Sequence, residues 1–265
     1  MSIGILDSGI GGLTIVRAIR QLLPQESIVY YGDTAYLPYG SKPVPTIRAR
    51  AQRICQMLLL YPCKAIVVAC NSAAAVAYGN LSTYVGHQIP VLNVIDPTLQ
   101  YIAKHLQSKT VGLIGTERTI DTAIYPQRLQ TLQLDVQLRT LATPLIVPAI
   151  EENYMQGHTD DAVLHDYLAN PSLQGIDALI LGCTHYPIIK PQIAAFYQKR
   201  KRPIDILDAT HMTACALQDI LGSHQLLDDE KKTEDRFFTS SLNETFPQAA
   251  QLILGSAVRV DHWPL

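Results

Sequence analysis

The sequence lacks the cysteine pattern of a disulfide-stabilised or zinc-binding protein. It has five cysteines, at positions 55, 63, 70, 183 and 215, and no Cys-x-x-Cys pair. An odd number of cysteines without paired spacing argues against a disulfide framework and against a structural zinc site. We therefore expect reduced thiols, as in a cytoplasmic protein, and nothing in the sequence demands a metal.

Long apolar runs and a surplus of charge of one sign are also missing. No run approaches the roughly 18 apolar residues that span a bilayer. The opening Met-Ser-Ile-Gly-Ile-Leu-Asp has neither the basic region nor the apolar block of a signal peptide. The net charge is −2, without the basic surface that nucleic-acid binding needs. We expect a soluble cytoplasmic protein that binds neither nucleic acid nor membranes.

What the sequence does contain is a matched pair of cysteine stretches about half the chain apart. Residues 65–70 and 178–183 are each a short run rich in Ile, Val, Leu and Ala that ends at a cysteine, Cys70 or Cys183. Such runs are typical of strands buried on both faces. Small polar residues and an expected helix follow each cysteine, and a helix N-terminus lowers a thiol pKa. Open α/β sheets bind ligands at this end of their strands.

The fold class follows from the alternation of apolar runs and helical segments. We predict an α/β protein of two similar domains with mainly parallel sheets flanked by helices. Residues 1–97 plus 208–265 are assigned to the first domain and residues 98–207 to the second. Residues 32–43 are expected to be a long binding loop, and residues 144–152 an irregular apolar segment. Facing domains would bring both cysteines to one cleft, where ligand sites are common.

The same alternation gives the approximate bounds of the individual elements. Strands are expected at 3–6, 28–31, 65–70, 89–95, 110–114, 136–141, 176–181, 203–207 and 258–262. Helices are expected at 14–23, 46–60, 98–105, 125–132 and 211–221.

Two facing cysteines suit a reaction that needs an acid and a base on opposite sides of one carbon. Removing a proton from one face and returning one to the other inverts a stereocentre. Three other interpretations stay open from the residues alone. Both cysteines could be buried core residues; the chain could be a two-lobed amino-acid binding protein; or Cys183 with His185 could serve a Cys–His amidohydrolase.

Five segments in order carry a resemblance to a known family. They are Asp7-Ser8-Gly9-x-Gly11-Gly12, Gly32-Asp33-Thr34 to Pro38-Tyr39-Gly40, Ala69-Cys70-Asn71-Ser72-Ala73, Ile146-Val147-Pro148 to Glu151, and Leu181-Gly182-Cys183-Thr184-His185-Tyr186-Pro187. Together they resemble the glutamate racemases from residue 3 to about residue 208. The joint occurrence of both cysteine motifs with the Pro-Tyr-Gly loop is highly specific.

The resemblance implies a cofactor-independent amino-acid racemase that interconverts L- and D-glutamate and supplies D-glutamate for peptidoglycan. It makes Cys70 and Cys183 the two acid/base residues, assisted by Asp7 and His185, with Glu151 ordering the site. The substrate-binding residues that it implies are Asp7, Ser8, Tyr39, Gly40, Ser41, Asn71, Ser72, Thr119, Thr184 and His185. It also implies that no pyridoxal phosphate is used.

The chain departs from the usual pattern of that family at three places. Ser72 stands where threonine is usual, Asp208-Ala209-Thr210 replaces an Asp-Ser-Gly-like turn, and Thr98 stands where a small residue often follows Pro97. None of these touches the cysteine pair. A racemase for aspartate or a related amino acid remains an alternative, and the oligomeric state stays open, with a homodimer as one candidate.

Overall fold

The computed structural model describes residues 1–87, 89–156, 161–241 and 245–265. Its strands are β1 (Ser2–Asp7), β2 (Ser27–Gly32), β3 (Cys63–Val68), β4 (Val91–Asn93), β5 (Lys109–Gly115), β6 (Val136–Ala142), β7 (Ala178–Gly182), β8 (Asp205–Asp208), β9 (Arg236–Thr239) and β10 (Val260–His262). Its α-helices are α1 (Leu13–Leu22), α2 (Val44–Leu58), α3 (Asn71–Val85), α4 (Asp96–His105), α5 (Glu117–Asp121), α6 (Ile124–Thr131), α7 (Ile146–Gln156), α8 (Asp161–Leu168), α9 (Lys190–Lys199), α10 (Ala209–Ser223) and α11 (Thr245–Leu254).

The strands form two separate parallel sheets. One has the order β10-β9-β2-β1-β3-β4 and the other the order β6-β5-β7-β8, and every pairing within them is parallel. Parallel strands need helical crossovers, and those helices bury both sheet faces. The predicted fold class, α/β with parallel sheets flanked by helices, is confirmed.

Two buried clusters hold the molecule together. The larger includes β1, β2 and β3, whose residues are all buried, and it continues onto the second sheet through Val111, Leu113 and Ile180. The smaller packs the opposite face of the second sheet, around Leu179 and Leu181, against α7 and α9. Since the side chains of β7 alternate between the two clusters, this strand joins them.

Sheet membership supports the division proposed from the sequence. The strands of the second sheet lie between residues 109 and 208, and those of the first sheet lie outside that range. The boundary proposed at 97/98 falls inside α4, which begins at Asp96. Because the larger core extends onto the second sheet, the division stays a proposal about two lobes. The boundary proposed at 207/208 falls inside β8, so we move it by one residue and use the names first lobe (1–97 and 209–265) and second lobe (98–208).

Several predicted elements differ from the structure. Residues 146–152 are helical, as part of α7, rather than irregular. The strand predicted at 65–70 runs from Cys63 to Val68 instead. Residues 89–95 contain only the short strand β4, and α11 was not predicted. Cys183 is followed by a 3₁₀ turn (Tyr186–Ile189) before α9, so a long helix does not begin directly after it.

Across the described residues, no helix is long and apolar enough to cross a membrane.

Candidate active site

Both cysteines of the matched pair lie just beyond the carboxyl ends of central strands and line the same cleft. Cys70 follows β3 and is the N-cap residue of α3, and Cys183 follows β7. One comes from each lobe. The lining residues of the cleft are Ser8, Leu37, Pro38, Tyr39, Gly40, Cys70, Asn71, Ser72, Thr116, Val147, Cys183, Thr184 and His185.

Cys70 has surroundings that favour the neutral thiol. Its side chain is buried, and its Sγ lies 3.5 Å from Ser8 Oγ. Burial first, and then the nearby charge of Asp7, raise the pKa of Cys70 to about 12, although hydrogen bonds from Ser8 and the backbone N–H of Ala73 oppose this. At neutral pH, the Cys70 sulfur is therefore a protonated thiol.

Asp7 lies at the end of β1, fully buried beneath the cleft. Its Oδ2 accepts hydrogen bonds from the N–H groups of Gly9 and Gly12, both at 3.0 Å, and from the Tyr30 hydroxyl at 3.3 Å. Its Oδ1 has no hydrogen-bond partner among the described residues. Buried polar atoms are seldom left unpaired, so this oxygen is available to accept a hydrogen bond from a cationic ligand group.

Cys183 lies beside a histidine that is held by a carboxylate. His185 Nδ1 lies 3.8 Å from Cys183 Sγ, and His185 Nε2 lies 2.9 Å from Glu151 Oε1. Burial alone would lower the pKa of His185, but its contacts with Cys183 and Glu151 outweigh burial and raise the pKa to about 10. The protonated ring can donate from both nitrogens, from Nε2 to Glu151 and from Nδ1 to Cys183 Sγ.

The other predicted binding residues lie at different depths. Asn71 Nδ2 donates to the Tyr125 hydroxyl at 3.3 Å, and Ser72 Oγ lies 2.9 Å from Thr116 Oγ1 of the second lobe. Thr119 is buried behind Thr116, 3.1 Å from it between hydroxyl oxygens, and does not line the cleft. The predicted residues that do line it are Ser8, Tyr39, Gly40, Cys70, Asn71, Ser72, Cys183, Thr184 and His185.

Ser41 is a candidate that the structure does not bring to the cleft. Its side chain is exposed and does not line the cleft, although its hydroxyl donates to the carbonyl oxygen of the lining residue Pro38 at 3.5 Å. Asp7 and Glu151 are likewise absent from the cleft wall. Glu151 contacts His185, which lines the cleft, and Asp7 contacts Gly9, which is next to the lining residue Ser8. Glu151 can act on Cys183 through His185 rather than through direct contact with a ligand.

The two lobes approach each other closely at two glycines. A Cβ at Gly11 would overlap Thr184 Oγ1 and lie 2.6 Å from His185 Nδ1. A Cβ at Gly40 would lie 2.7 Å from Thr116 Cβ. Only a residue without a side chain fits these contacts. Both glycines therefore set how near the first lobe lies to the second at the cleft.

The sequence of the chain matches a family of racemases along most of its length. The Asp/Glu/Hydantoin racemase family matches residues 13–217. The chain belongs to this family. It is 37% identical over 265 residues to the glutamate racemase of Streptococcus uberis, covering 99% of this chain and 98% of that one. The resemblance to the glutamate racemases is confirmed, and the chain is an isomerase of the racemase type.

Solved structures of other racemases share the fold. Glutamate racemase isoform RacE1 from Bacillus anthracis superposes with a TM-score of 0.91 at 33% identity, covering 100% of this chain and 97% of that one. Glutamate racemase from Francisella tularensis, solved in complex with D-glutamate, gives a TM-score of 0.88 at 32% identity, with 100% and 97% covered.

Some cleft residues of this racemase were not predicted from its sequence. Thr116, Val147, Leu37 and Pro38 all line the cleft. The sequence could have indicated Thr116. It directly follows β5, which ends at Gly115, just as Ser8 directly follows β1, which ends at Asp7. Val147 belongs to the segment Ile146-Val147-Pro148 to Glu151 that carries the family resemblance, but that resemblance gave it no role. Among the described residues, no group of three or more His, Cys, Asp or Glu side chains could hold a metal ion.

Proposed function

We propose that this protein interconverts L- and D-glutamate by proton transfer between the substrate α-carbon and two thiols, without a cofactor. The observation that carries the proposal is that Cys70 and Cys183 come from different lobes and line one cleft. The full-length similarity to glutamate racemases supports the choice of substrate. In a cell that builds peptidoglycan, the role would be the supply of D-glutamate in the cytoplasm.

The reaction is a balanced exchange of one proton for another. In one direction the Cys183 thiolate, stabilised by the His185 imidazolium, takes the α-proton and becomes a thiol. Cys70, a thiol at rest, gives its proton to the opposite face of the carbanion and becomes a thiolate. The C–H bond broken on one side is replaced by one on the other, so the configuration inverts. The reverse direction starts from the Cys70 thiolate, which Ser8 and the Ala73 N–H can stabilise.

The polar walls of the cleft suit an amino dicarboxylate. The free Oδ1 of Asp7 lies beneath the Cys70 side, where it supports a role in orienting the substrate ammonium group. The hydroxyl and amide groups of Ser8, Asn71, Ser72 and Thr184 can donate to carboxylate oxygens. Small neutral donors bind two carboxylates without a bulky cation in the cleft.

Incubation with a single enantiomer of glutamate in deuterated water tests the proposal. Loss of optical activity together with deuterium at the α-carbon, followed by circular dichroism and proton NMR, is the expected result. No turnover of glutamate together with ammonia release from glutamine would instead indicate an amidohydrolase that uses Cys183 and His185. Binding without turnover would indicate an amino-acid binding protein, and faster turnover of aspartate would change the assigned substrate.

Substitution of each thiol tests the two-base mechanism separately. Cys70→Ala and Cys183→Ala should each reduce racemisation by at least about a thousandfold, because each removes an acid/base group that no neighbour replaces. Cys55→Ala, in the buried interior of α2, is the matched control and should keep its activity. A Cys70→Ala enzyme that racemises at the normal rate would rule the mechanism out.

A further inference from the structure

A buried chain of polar contacts supports one wall of the cleft from behind. The Tyr39 hydroxyl donates to Asp33 Oδ2 at 2.5 Å. The Asp33 carboxylate accepts from Arg50 Nε at 2.9 Å and from a terminal Arg50 nitrogen at 2.7 Å. The other terminal nitrogen donates to the Leu265 carbonyl oxygen at 2.6 Å. We call Tyr39, Asp33, Arg50 and Leu265 the support chain; of these residues, only Tyr39 lines the cleft.

The support chain is removed from solvent at its centre. Tyr39, Asp33 and Arg50 are exposed by only 1%, 0% and 5%. Burial first, and then the charge of Asp33, raise the pKa of Tyr39 well above its usual range, so its hydroxyl stays protonated and donates. A buried ion pair is stable only when its hydrogen bonds are complete. Here both carboxylate oxygens and all three guanidinium nitrogens are used.

Arginine has a geometry in this pair that lysine cannot copy. Its planar guanidinium makes two roughly parallel hydrogen bonds to Asp33, which fix the carboxylate in orientation as well as position. The guanidinium also stacks on the Tyr36 ring, with Cζ 4.0 Å from the ring centroid. The arginine is therefore held from two sides, and the carboxylate that it orients holds Tyr39 in turn.

The far end of the support chain is itself anchored. The backbone N–H of Trp263 donates to the Thr239 carbonyl at 2.9 Å, and the Trp263 carbonyl accepts from the Tyr31 hydroxyl at 2.7 Å. The Trp263 ring packs edge-on against Phe238, with centroids 5.9 Å apart. These contacts place the Leu265 carbonyl as a fixed acceptor for Arg50. Residues 263–265 are thereby connected to the cleft through the support chain.

We propose that Arg50 is a positioning residue for the racemase reaction, acting through Asp33 on Tyr39 and the adjoining Pro38 and Gly40. Residues 263–265 complete its support. The inference rests on the proposed function, because it assigns residues that shape the same cleft. Arg50 touches neither the cleft nor the thiols, so its loss acts on substrate affinity through the position of the wall rather than on proton transfer itself.

Steady-state kinetics with both enantiomers tests the proposal. Arg50→Lys keeps the charge but loses the paired hydrogen bonds, and should raise KM for glutamate by about ten- to a hundredfold, with a smaller fall in kcat. Tyr39→Phe should act in the same way. If both residues act through one chain of contacts, the double variant is no worse than the more severe single variant. Tyr31→Phe, which frees the Trp263 carbonyl, should raise KM by about threefold.

Arg259→Lys is the matched control. Arg259 lies near the same segment, but its side chain is 88% exposed and pairs only with Asp261, so KM should stay within about twofold of the original. An Arg50→Lys enzyme with normal KM, or fully additive effects of Arg50→Lys and Tyr39→Phe, would overturn the proposal. If Arg50→Lys does not fold, Tyr39→Phe and Tyr31→Phe test the proposal instead. An unchanged KM in both of these variants would exclude the support role.

Hydrogen exchange gives a second measurement that needs no substrate. Amides of residues 33–43 should exchange faster in Arg50→Lys than in the original protein, whereas those of β5, which the support chain does not contact, should be unchanged. Unaltered exchange in 33–43 would contradict the support role. If the original protein does not racemise glutamate, the proposed function fails, and the exchange result still decides whether Arg50 supports the cleft wall.

Discussion

At the scale of single residues, the two thiols differ in what surrounds them. Cys70 has a buried carboxylate, Asp7, near it, which together with burial keeps the sulfur protonated. Cys183 has a buried imidazolium beside it, held by Glu151. The proposed two-thiol mechanism needs one acid and one base at the start of each turnover. The different surroundings of the two sulfurs are consistent with that division of roles.

The pH dependence of activity should report His185. Because its pKa is raised to about 10, above the usual value near 6.5, the imidazolium is present through neutral pH and is lost as pH rises through about 10. The stability linked to this raised pKa is fully present below about pH 6.5 and disappears over the same alkaline range. Glu151→Gln removes one cause of the shift, so the alkaline limb of kcat/KM should move to lower pH by about one unit.

Glu152→Gln is the matched control for that measurement. Glu152 is the next residue on α7 and is exposed, so its substitution should leave the alkaline limb in place. An alkaline limb that is the same in Glu151→Gln and the original protein would show that Glu151 does not hold His185 in its protonated form.

Gly11→Ala should impair catalysis without unfolding the protein. The new Cβ would lie 2.6 Å from His185 Nδ1 and must displace the ring or the turn that carries Gly11. A displacement near 1 Å at a catalytic group can reduce kcat about a hundredfold. Gly79→Ala is the control, because nothing lies within 4 Å of a Cβ there and α3 should gain about 0.5–1 kcal/mol. Normal kcat in Gly11→Ala would show that the lobes adjust freely.

At the scale of elements, the strands were easier to predict than the helix that carries Glu151. Buried parallel strands are continuous apolar runs, so all the strands of the second sheet were predicted within a few residues of their observed bounds. Pro144 and Pro148 made residues 144–152 look irregular. Pro148 lies in the first turn of α7, where a helix does not use the N–H group that proline lacks. The same residues can therefore begin a helix.

The polar contacts behind the cleft show where prediction from sequence ends. The end of β3 places Cys70 near the cleft, and the repeat of that pattern places Cys183 there. Nothing in an apolar pattern says that Asp33 pairs with Arg50, since the partner of a buried charge depends on how helices pack. The expected helix start after Cys183 was wrong for a similar reason, because Tyr186–Ile189 forms a 3₁₀ turn first. The pattern of residues predicts where a residue lies along a strand better than it predicts which side chain that residue contacts.

Thr116 connects elements of both lobes and supplies a test at this scale. Its Oγ1 lies 2.9 Å from Ser72 Oγ at the start of α3 and 3.1 Å from Thr119 Oγ1 in α5. Thr116→Val keeps the shape but leaves both hydroxyls without this partner, so KM for glutamate should rise about three- to tenfold. Thr116→Ser retains the hydroxyl and should restore most of the affinity. Equal KM values for the valine and serine variants would exclude a role for the hydrogen bonds.

At the scale of the whole molecule, the cleft and one buried charge cluster lie at opposite ends of the strands of the first sheet. The cleft lies beyond the carboxyl ends of β1 and β3. The cluster lies near the amino ends of β2 and β3, where Lys64 Nζ is 2.5 Å from Glu26 Oε2 and 2.6 Å from Asp228 Oδ2. Lys64 also donates to the Leu226 carbonyl. These contacts attach the segment after α10 to the first sheet at the amino ends of its strands, far from the cleft.

Stability and catalysis should therefore respond separately to substitution of Lys64. The side chains of Lys64 and Glu26 are each 1% exposed, and removing one partner of a buried ion pair costs about 3–5 kcal/mol. Lys64→Met should lower Tm by roughly 10 °C for a chain of this size, measured by calorimetry, while kcat/KM of the folded enzyme at 25 °C stays unchanged. Lys232→Met is the control: Lys232 pairs with the same Asp228, but its side chain is 54% exposed, so Tm should hardly move. A fall in kcat/KM that accompanies the fall in Tm would show that this edge of the sheet is coupled to the cleft.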